Sequence, residues 1–179
     1  MLRRRRLAAL RDVTGYELYL VRHAIADDRG PQWPNDARRP LTQLGIARFV
    51  EAVKGLRAIG VEIDEVVSSP LVRAKQTADL LAAGLKHKPH VRILKALEPG
   101  HGPVAVVKAL AEEAKNPRLA LVGHEPDLGE LASHLLGTKK PIPFKKGGVC
   151  RIDVVTLPTA RAGTLVWLLP PKILRALGE

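Results

Sequence analysis

The sequence predicts an α/β fold, with one three-layer domain built on a mainly parallel sheet of about six strands. Short apolar runs typical of strands alternate along the chain with segments whose apolar residues recur at helical spacing. This alternation implies crossover helices that cover both faces of the sheet. The last two apolar runs are joined by a short turn, so we expect one antiparallel strand at an edge.

The strands are predicted, in order, at residues 18–22, 65–67, 91–94, 119–122, 149–157 and 164–169. Four helices are predicted between them. The first follows an N-cap at Thr42 and closes at Gly60. The second begins just after Pro70, the third opens at Pro103, and the fourth runs from Pro126 to Gly137. Residues 26–39 contain two prolines and are predicted to form a loop.

With 179 residues, the chain is long enough for one hydrophobic core. We expect a flexible basic extension at 1–15, the folded domain at 16–170, and a short tail at 171–179 after the Pro170-Pro171 pair. The apolar stretch that follows the arginines near the N-terminus is too short for a signal peptide or a membrane span. The lone Cys150 fits a reducing compartment, so the sequence predicts a cytoplasmic protein without a membrane association.

The formal charge of +11 fits a basic enzyme with arginine-rich helices, or one that attracts anionic substrates. Aromatic residues make up only 3% of the chain, which argues against binding single-stranded nucleic acid by stacking. No helix-turn-helix, zinc-finger or RNP-like pattern is present, so no specific nucleic-acid partner is expected.

Three predicted strands end in groups suited to phosphate. Arg22 and His23 follow the first strand, Arg73 follows the second strand and the turn Ser68-Ser69-Pro70, and His124 follows the fourth. Ligands of open parallel sheets bind outside the carboxyl ends of the strands. The sequence therefore predicts that these four side chains meet in one pocket.

These residues, in this order, resemble the histidine phosphatase superfamily, which includes phosphoglycerate mutases and acid phosphatases. The resemblance is strongest to its small SixA-type phosphohistidine phosphatases. It extends to three further motifs, Arg39-Pro40-Leu41-Thr42-Gln43-Leu44-Gly45, Gly123-His124-Glu125-Pro126 and Phe144-Lys145-Lys146-Gly147-Gly148, and covers residues 17–169. It implies a phosphoglycerate mutase-like fold. The superfamily has a glycine where this chain has Ala24, which we expect to be tolerated if φ stays negative.

In this interpretation His23 is the nucleophile, because a neutral imidazole offers a lone pair without needing a general base. Arg22 and Arg73 would bind the phosphate bidentately, and His124 would donate a hydrogen bond in the transition state. The resemblance adds Arg39 to the pocket.

Four other residues are weaker candidates for substrate binding. Lys145 and Lys146 either form the rim of the site or are solvated. Glu98 and Glu125, with Asp27, are the only acidic residues placed to substitute for the proton donor of larger superfamily members; each is otherwise a solvated loop carboxylate.

The sequence thus predicts a phosphatase with a phosphohistidine intermediate, acting on phosphohistidine in proteins. Two alternatives remain, a phosphatase for small phosphate esters and a silent phospho-binding module on the same fold. No histidine pair has metal-ligand spacing, so neither a metal nor another cofactor is expected. The sequence leaves the oligomeric state undetermined.

Overall fold

Residues 15–179, the part of the chain that the computed structural model describes, contain six β-strands and five α-helices. The strands are β1 (Tyr16–Arg22), β2 (Glu65–Ser68), β3 (His90–Ile93), β4 (Arg118–Gly123), β5 (Val149–Val154) and β6 (Thr164–Leu169). The helices are α1 (Gln43–Ala58), α2 (Val72–Gly84), α3 (Gly102–Glu113), α4 (Asp127–Leu136) and α5 (Pro171–Leu177). Two 3-10 turns lie at Asp36–Arg38 and Lys95–Leu97.

All six strands belong to one sheet, in the order β3-β2-β4-β1-β5-β6. The pairs β3–β2, β2–β4 and β4–β1 are parallel, whereas β1–β5 and β5–β6 are antiparallel. The predicted fold class, a mainly parallel six-stranded sheet with antiparallel pairing toward one edge, is confirmed. The strand that runs against the others is β5, and β6 forms the edge itself.

Helices cover both faces of the sheet and create two hydrophobic cores. Helices α1, α2 and α5 pack on one face, where Phe49, Leu81 and Leu174 are buried. Helices α3 and α4 pack on the other, where Leu110 and Leu131 are buried. The central strands β1 and β4 are enclosed on both sides, which explains their nearly continuous apolar sequences.

The helix boundaries follow the predicted capping signals. The Oγ1 of Thr42 accepts a hydrogen bond from the Gly45 amide at 2.9 Å, as expected of an N-cap. Gly137 ends α4 in the left-handed conformation, with φ 65°. Gly60, with φ +74°, follows α1. None of the helices in residues 15–179 combines the length and apolar character needed to cross a bilayer.

The expected tail after Pro170 is wrong. Residues 171–177 form α5, which packs on α1 and buries Leu174 completely. Proline lacks only an amide that the first helical turn leaves unused, so Pro171 begins a helix here rather than ending the fold. The predicted basic extension lies outside the described residues, apart from Gly15.

The sheet brings the carboxyl ends of three adjacent strands together. Val122 pairs with Val21 of β1 and with Ser68 of β2. The same register continues beyond the strands, where the His23 amide donates to the Gly123 carbonyl at 3.1 Å and the Ser69 amide donates to the Val122 carbonyl at 3.0 Å. The segments that carry His23, Ser69 and His124 therefore lie side by side.

Candidate active site

A cavity of about 310 Å³ lies at these strand ends. Seven of the nine site residues predicted from the sequence line it. Asp27, Asp28 and Arg29 of the loop after β1 contribute as well, and so does Pro99. Its lining is Arg22, His23, Asp27, Asp28, Arg29, Arg39, Arg73, Pro99, His124, Glu125 and Lys146.

His23 is buried, with 6% of its surface exposed, and its imidazole is held in one tautomer. Nδ1 lies 2.7 Å from the Ala24 carbonyl oxygen. A carbonyl oxygen can only accept, so Nδ1 carries the hydrogen and Nε2 keeps its lone pair. Burial and the neighbouring arginine charges lower the pKa of His23 to about 4, against the opposing effect of the Ala24 hydrogen bond. The ring is therefore neutral at pH 7.

Ala24, the position where the superfamily has glycine, fits without strain. Among the described residues, Lys88 is the one non-glycine residue with a positive φ, so Ala24 keeps a negative φ as expected. Its amide donates to the Oγ1 of Thr77 at 3.1 Å.

His124 lies next to His23, with ring centroids 5.2 Å apart. Its Nε2 is 2.9 Å from the Oγ of Ser69, whereas its Nδ1 is buried without a hydrogen-bond partner among the described residues. Burial, the repulsion between the two imidazoles when both are protonated, and the arginine charges lower the pKa of His124 to about 3, although Asp36 opposes the shift. The cavity thus contains two neutral imidazoles.

Three buried or half-buried arginines surround these rings, and two of them share a carboxylate. Arg73 donates from Nη1 to the Asp36 carbonyl at 2.8 Å, and its Nη2 lies 3.0 Å from Oδ2 of Asp36. Arg39 donates from Nε to Oδ1 of Asp36 at 2.8 Å and from Nη1 to the Asp27 carbonyl at 2.6 Å. Arg22 donates from Nη1 to the Phe144 carbonyl at 2.6 Å.

Two of the three arginines have a donor nitrogen that makes no hydrogen bond among the described residues. The Nε atoms of Arg22 and Arg73 are buried without a partner among residues 15–179, as is Nδ1 of His124. A buried polar atom without a hydrogen bond is uncommon, since its desolvation costs about 1–3 kcal/mol. Three of the five such atoms among the described residues belong to side chains that line this cavity, which favours a site for an anion with several acceptor oxygens.

Glu125 lines the cavity, and one of its carboxylate oxygens accepts a hydrogen bond from a backbone amide. Its Oε1 accepts from the Phe144 amide at 2.8 Å. Burial raises the pKa of Glu125, although the hydrogen bonds from Phe144 and Gly129 and the charge of Arg22 oppose the shift. The sequence had left open whether this residue is a solvated loop carboxylate, and the structure places it at the cavity.

Two predicted site residues do not line the cavity. The turn from Lys145 to Gly148 is closed by a 2.8 Å hydrogen bond from the Gly148 amide to the Lys145 carbonyl, and it presents Lys146 to the cavity while Lys145 stays exposed. Glu98 is half-buried beside Pro99, and it is Pro99 that contributes to the lining.

Sequence reasoning gave no role to Asp36 or Ser69. Asp36 stands three residues before Arg39 on a 3-10 turn, a spacing that favours an ion pair but gives no sign of the contact with Arg73. Burial raises the pKa of Asp36, but the hydrogen bond from Arg39 and the charges of three arginines outweigh it and lower the pKa overall. Ser69 belongs to the Ser-Ser-Pro turn, but its contact with His124 depends on the fold.

Comparison with known proteins agrees with this geometry. Residues 18–98 match the Histidine phosphatase superfamily (branch 1). Phosphohistidine phosphatase SixA of Escherichia coli is 28% identical over 158 residues, covering 87% of this chain and 94% of that protein. The chain belongs to the histidine phosphatase superfamily. An uncharacterised protein from Picosynechococcus sp. is 38% identical over 137 residues, which cover 74% of this chain and 82% of that protein.

The fold is shared with a solved superfamily structure, that of the protein histidine phosphatase SixA complexed with tungstate. The two structures superpose with a TM-score of 0.75 at 24% identity, over 88% of this chain and 99% of the other. Membership of this superfamily and the similarity to SixA support phosphatase activity, the hydrolysis of phosphorylated substrates.

Proposed function

We propose that this phosphatase removes the phosphoryl group from phosphohistidine in proteins and carries it transiently on His23. One observation carries the proposal. The Nδ1 of His23 donates to the Ala24 carbonyl, so Nε2 has a free lone pair at pH 7 in a cavity surrounded by three guanidinium groups. A site that only bound anions would not need an unprotonated nitrogen there.

The reaction has two displacements on phosphorus. In the first, Nε2 of His23 forms a bond to phosphorus while the P–N bond of the substrate breaks, and the bonding electron pair leaves with the substrate imidazole. In the second, water attacks phospho-His23 and the P–Nε2 bond breaks. The electron pair returns to Nε2, and the proton of water goes to the inorganic phosphate released.

The positive charge that the transferring group requires comes from Arg22, Arg39 and Arg73. His124 adds a donor if Ser69 donates to its Nε2, since the hydrogen then lies on the unpartnered Nδ1. These charges make a metal unnecessary for the step, so we expect turnover to persist in excess EDTA.

A phosphohistidine substrate suits this site because its leaving group needs no proton donor. In the form protonated on its other ring nitrogen, which an imidazole reaches near neutral pH, phosphohistidine expels a neutral imidazole that keeps that hydrogen. An alkoxide leaving group, in contrast, depends on a general acid, which contributes about 10²–10⁴-fold. The similarity to phosphohistidine phosphatase SixA supports the same substrate class.

The decisive experiment compares turnover of a phosphohistidine-bearing carrier protein with turnover of sugar and nucleotide phosphates. Rapid-quench labelling with radioactive phosphohistidine protein, followed by peptide mapping, is expected to place an acid-labile label on His23. His23→Ala should abolish turnover, and His101→Ala, at an exposed histidine outside the cavity, is the matched control. Near wild-type turnover by His23→Ala would refute the proposal.

Glu125 favours a second candidate, a phosphatase for small phosphate esters. Its carboxyl lines the cavity and its raised pKa brings it closer to the protonated form that a general acid needs. Glu125→Gln keeps the acceptor for the Phe144 amide and removes the acid. On phosphohistidine we expect a loss of less than about tenfold from this variant and from Glu98→Gln. Loss of about a hundredfold or more in Glu125→Gln alone would identify Glu125 as the proton donor and favour esters.

A further inference from the structure

A second, smaller cavity adjoins the candidate active site. Its volume is about 150 Å³. Lys146 lines both cavities, and Ala24, which contributes to the smaller one, directly follows His23. The smaller cavity therefore lies beside the candidate active site. Its lining is Ala24, Ile25, Gly45, Arg48, Phe49, Lys146, Gly147, Pro171, Lys172 and Arg175.

Four of these residues are cationic, and the lining contains no acidic side chain. We call this smaller cavity the basic side pocket, after the four cations in its lining, Arg48, Lys146, Lys172 and Arg175. Three of them are exposed, and Arg175 is half-buried. Their side chains form neither an ion pair nor a hydrogen bond with any residue in 15–179.

Several other basic residues of the fold, in contrast, are paired with carboxylates. Arg92 pairs with Glu65 and Glu113, and Arg118 pairs with Glu62 and Asp64. Four like charges around one small cavity repel one another and raise the local potential for an anion. An anionic group that entered would gain attraction from all four cations and would displace no carboxylate.

The floor of the basic side pocket leaves room for such a group. Gly147 adopts φ +77°, and a Cβ there would lie 3.4 Å from the Phe49 ring and 3.8 Å from Pro171, both of which line the pocket. A larger residue at Gly147 would fill space that is now open. The ring of Phe49 and the proline supply an apolar base suited to the methylene groups of an acidic side chain.

We propose that the basic side pocket binds an acidic side chain of the protein substrate, next to its phosphohistidine. The inference rests on the proposed function and narrows it to carriers that place Asp or Glu beside the phosphorylated residue. A small cavity open to solvent suits one side chain from a protein surface. A second phosphate of a small bisphosphate offers the same anionic chemistry, and the test separates these two sources.

The test uses the full chain with Lys172→Gln and Arg175→Gln combined. The matched control is Arg57→Gln with Lys86→Gln, which removes the same two kinds of charge from a cavity at the opposite end of the sheet. For each variant, kcat/KM is measured with an acidic phosphohistidine carrier, with that carrier after its neighbouring carboxylates are changed to amides, and with free phosphohistidine. A sugar bisphosphate and its monophosphate complete the set.

We expect the side-pocket variant to lose about tenfold in kcat/KM for the acidic carrier relative to free phosphohistidine, through KM. The amidated carrier should show no such loss, and the control variant should keep the wild-type ratio. Equal losses in both double variants, or a loss confined to the bisphosphate, would overturn the inference. The proposed function would fail separately, by the absence of wild-type turnover on every phosphohistidine substrate.

Discussion

The hydroxyl of Ser69 is the hydrogen-bond partner of the His124 ring among the described residues. The Ser69 hydroxyl lies 2.9 Å from Nε2 of His124. If the hydroxyl donates to Nε2, as in the proposed mechanism, Ser69→Ala no longer holds the ring hydrogen on Nδ1. We expect kcat to fall about tenfold, the equivalent of one hydrogen bond, with KM changed by less than about twofold. Steady-state kinetics measures both constants.

Ser68→Ala is the matched control for that prediction. Ser68 is equally buried, but its hydroxyl donates to the Ser69 carbonyl at 2.8 Å and does not contact His124. A decrease of similar size in both variants would show that packing of the turn, rather than the His124 tautomer, is what matters.

At the scale of single residues, the sequence was informative where chemistry and position coincide. Arg22, His23, Arg73 and His124 each follow a strand of the sheet, and parallel strands bring such positions to one edge. Asp36 could not be predicted in the same way, because its contact with Arg73 joins a loop to a helix. Lys145 and Lys146 could not be distinguished, because the turn geometry decides which of two neighbours reaches the cavity.

At the scale of elements, the 3-10 turn Asp36–Arg38 positions two arginines, because Asp36 contacts both Arg39 and Arg73. Asp36→Asn keeps the oxygen that accepts from Arg39 but removes the charge shared with Arg73. We expect kcat/KM to fall about tenfold, because both guanidinium groups lose part of their orientation. Inhibition constants for inorganic phosphate should rise in parallel.

Asp28→Asn serves as the control for Asp36→Asn. Asp28 also lines the cavity, and the replacement removes the same charge without touching Arg39 or Arg73. If Asp28→Asn reduced activity as much as Asp36→Asn, the effect would reflect the cavity's overall charge rather than the positions of the arginines.

Helix α5 shows why the C-terminal element escaped prediction. Its seven residues are too few for a clear periodic pattern, and the pair Pro170-Pro171 is typical of a turn or loop. Its place depends on Gly55 of α1, where a Cβ would overlap the Leu174 carbonyl oxygen. No local pattern in the sequence announces a close approach of this kind between two distant segments.

Gly55→Ala tests that close approach. Alanine favours a helix by about 1 kcal/mol over glycine, so an unhindered site would be stabilised. Because the Leu174 backbone stands in the way, we expect net destabilisation of about 1–2 kcal/mol, measured by urea unfolding. Unfolding at a urea concentration equal to or above that of the wild type would show that α5 does not pack on Gly55.

For the whole molecule, the two buried imidazoles make stability depend on pH. His23 and His124 have pKa values of about 4 and about 3 in the folded protein, against about 6.5 in an unfolded chain. Between these pKa values the unfolded chain binds more protons than the folded protein. The contribution of the two neutral histidines to the free energy of unfolding is therefore fully present above pH ~6.5 and decreases as the pH falls toward 4. Each histidine adds about 1.4 kcal/mol per pH unit to the slope near pH 5.

Urea unfolding between pH 7 and pH 4 measures this slope. In a His23→Asn, His124→Asn double variant we expect the slope near pH 5 to be smaller than in the wild type. A double variant whose stability fell as steeply as that of the wild type would show that other groups take up the protons.

The position of β1 has a consequence for synthesis. This strand precedes the other described strands in the chain, yet its partners are β4 and β5, so that Leu18 pairs with Leu119 on one side and Ile152 on the other. During translation β1 cannot pair with β4 before Gly123 has been made, or with β5 before Val154 has been made. An incomplete chain therefore lacks the surroundings of His23. Abortive products of this protein would be clients for chaperones or proteases and would not act as phosphatases.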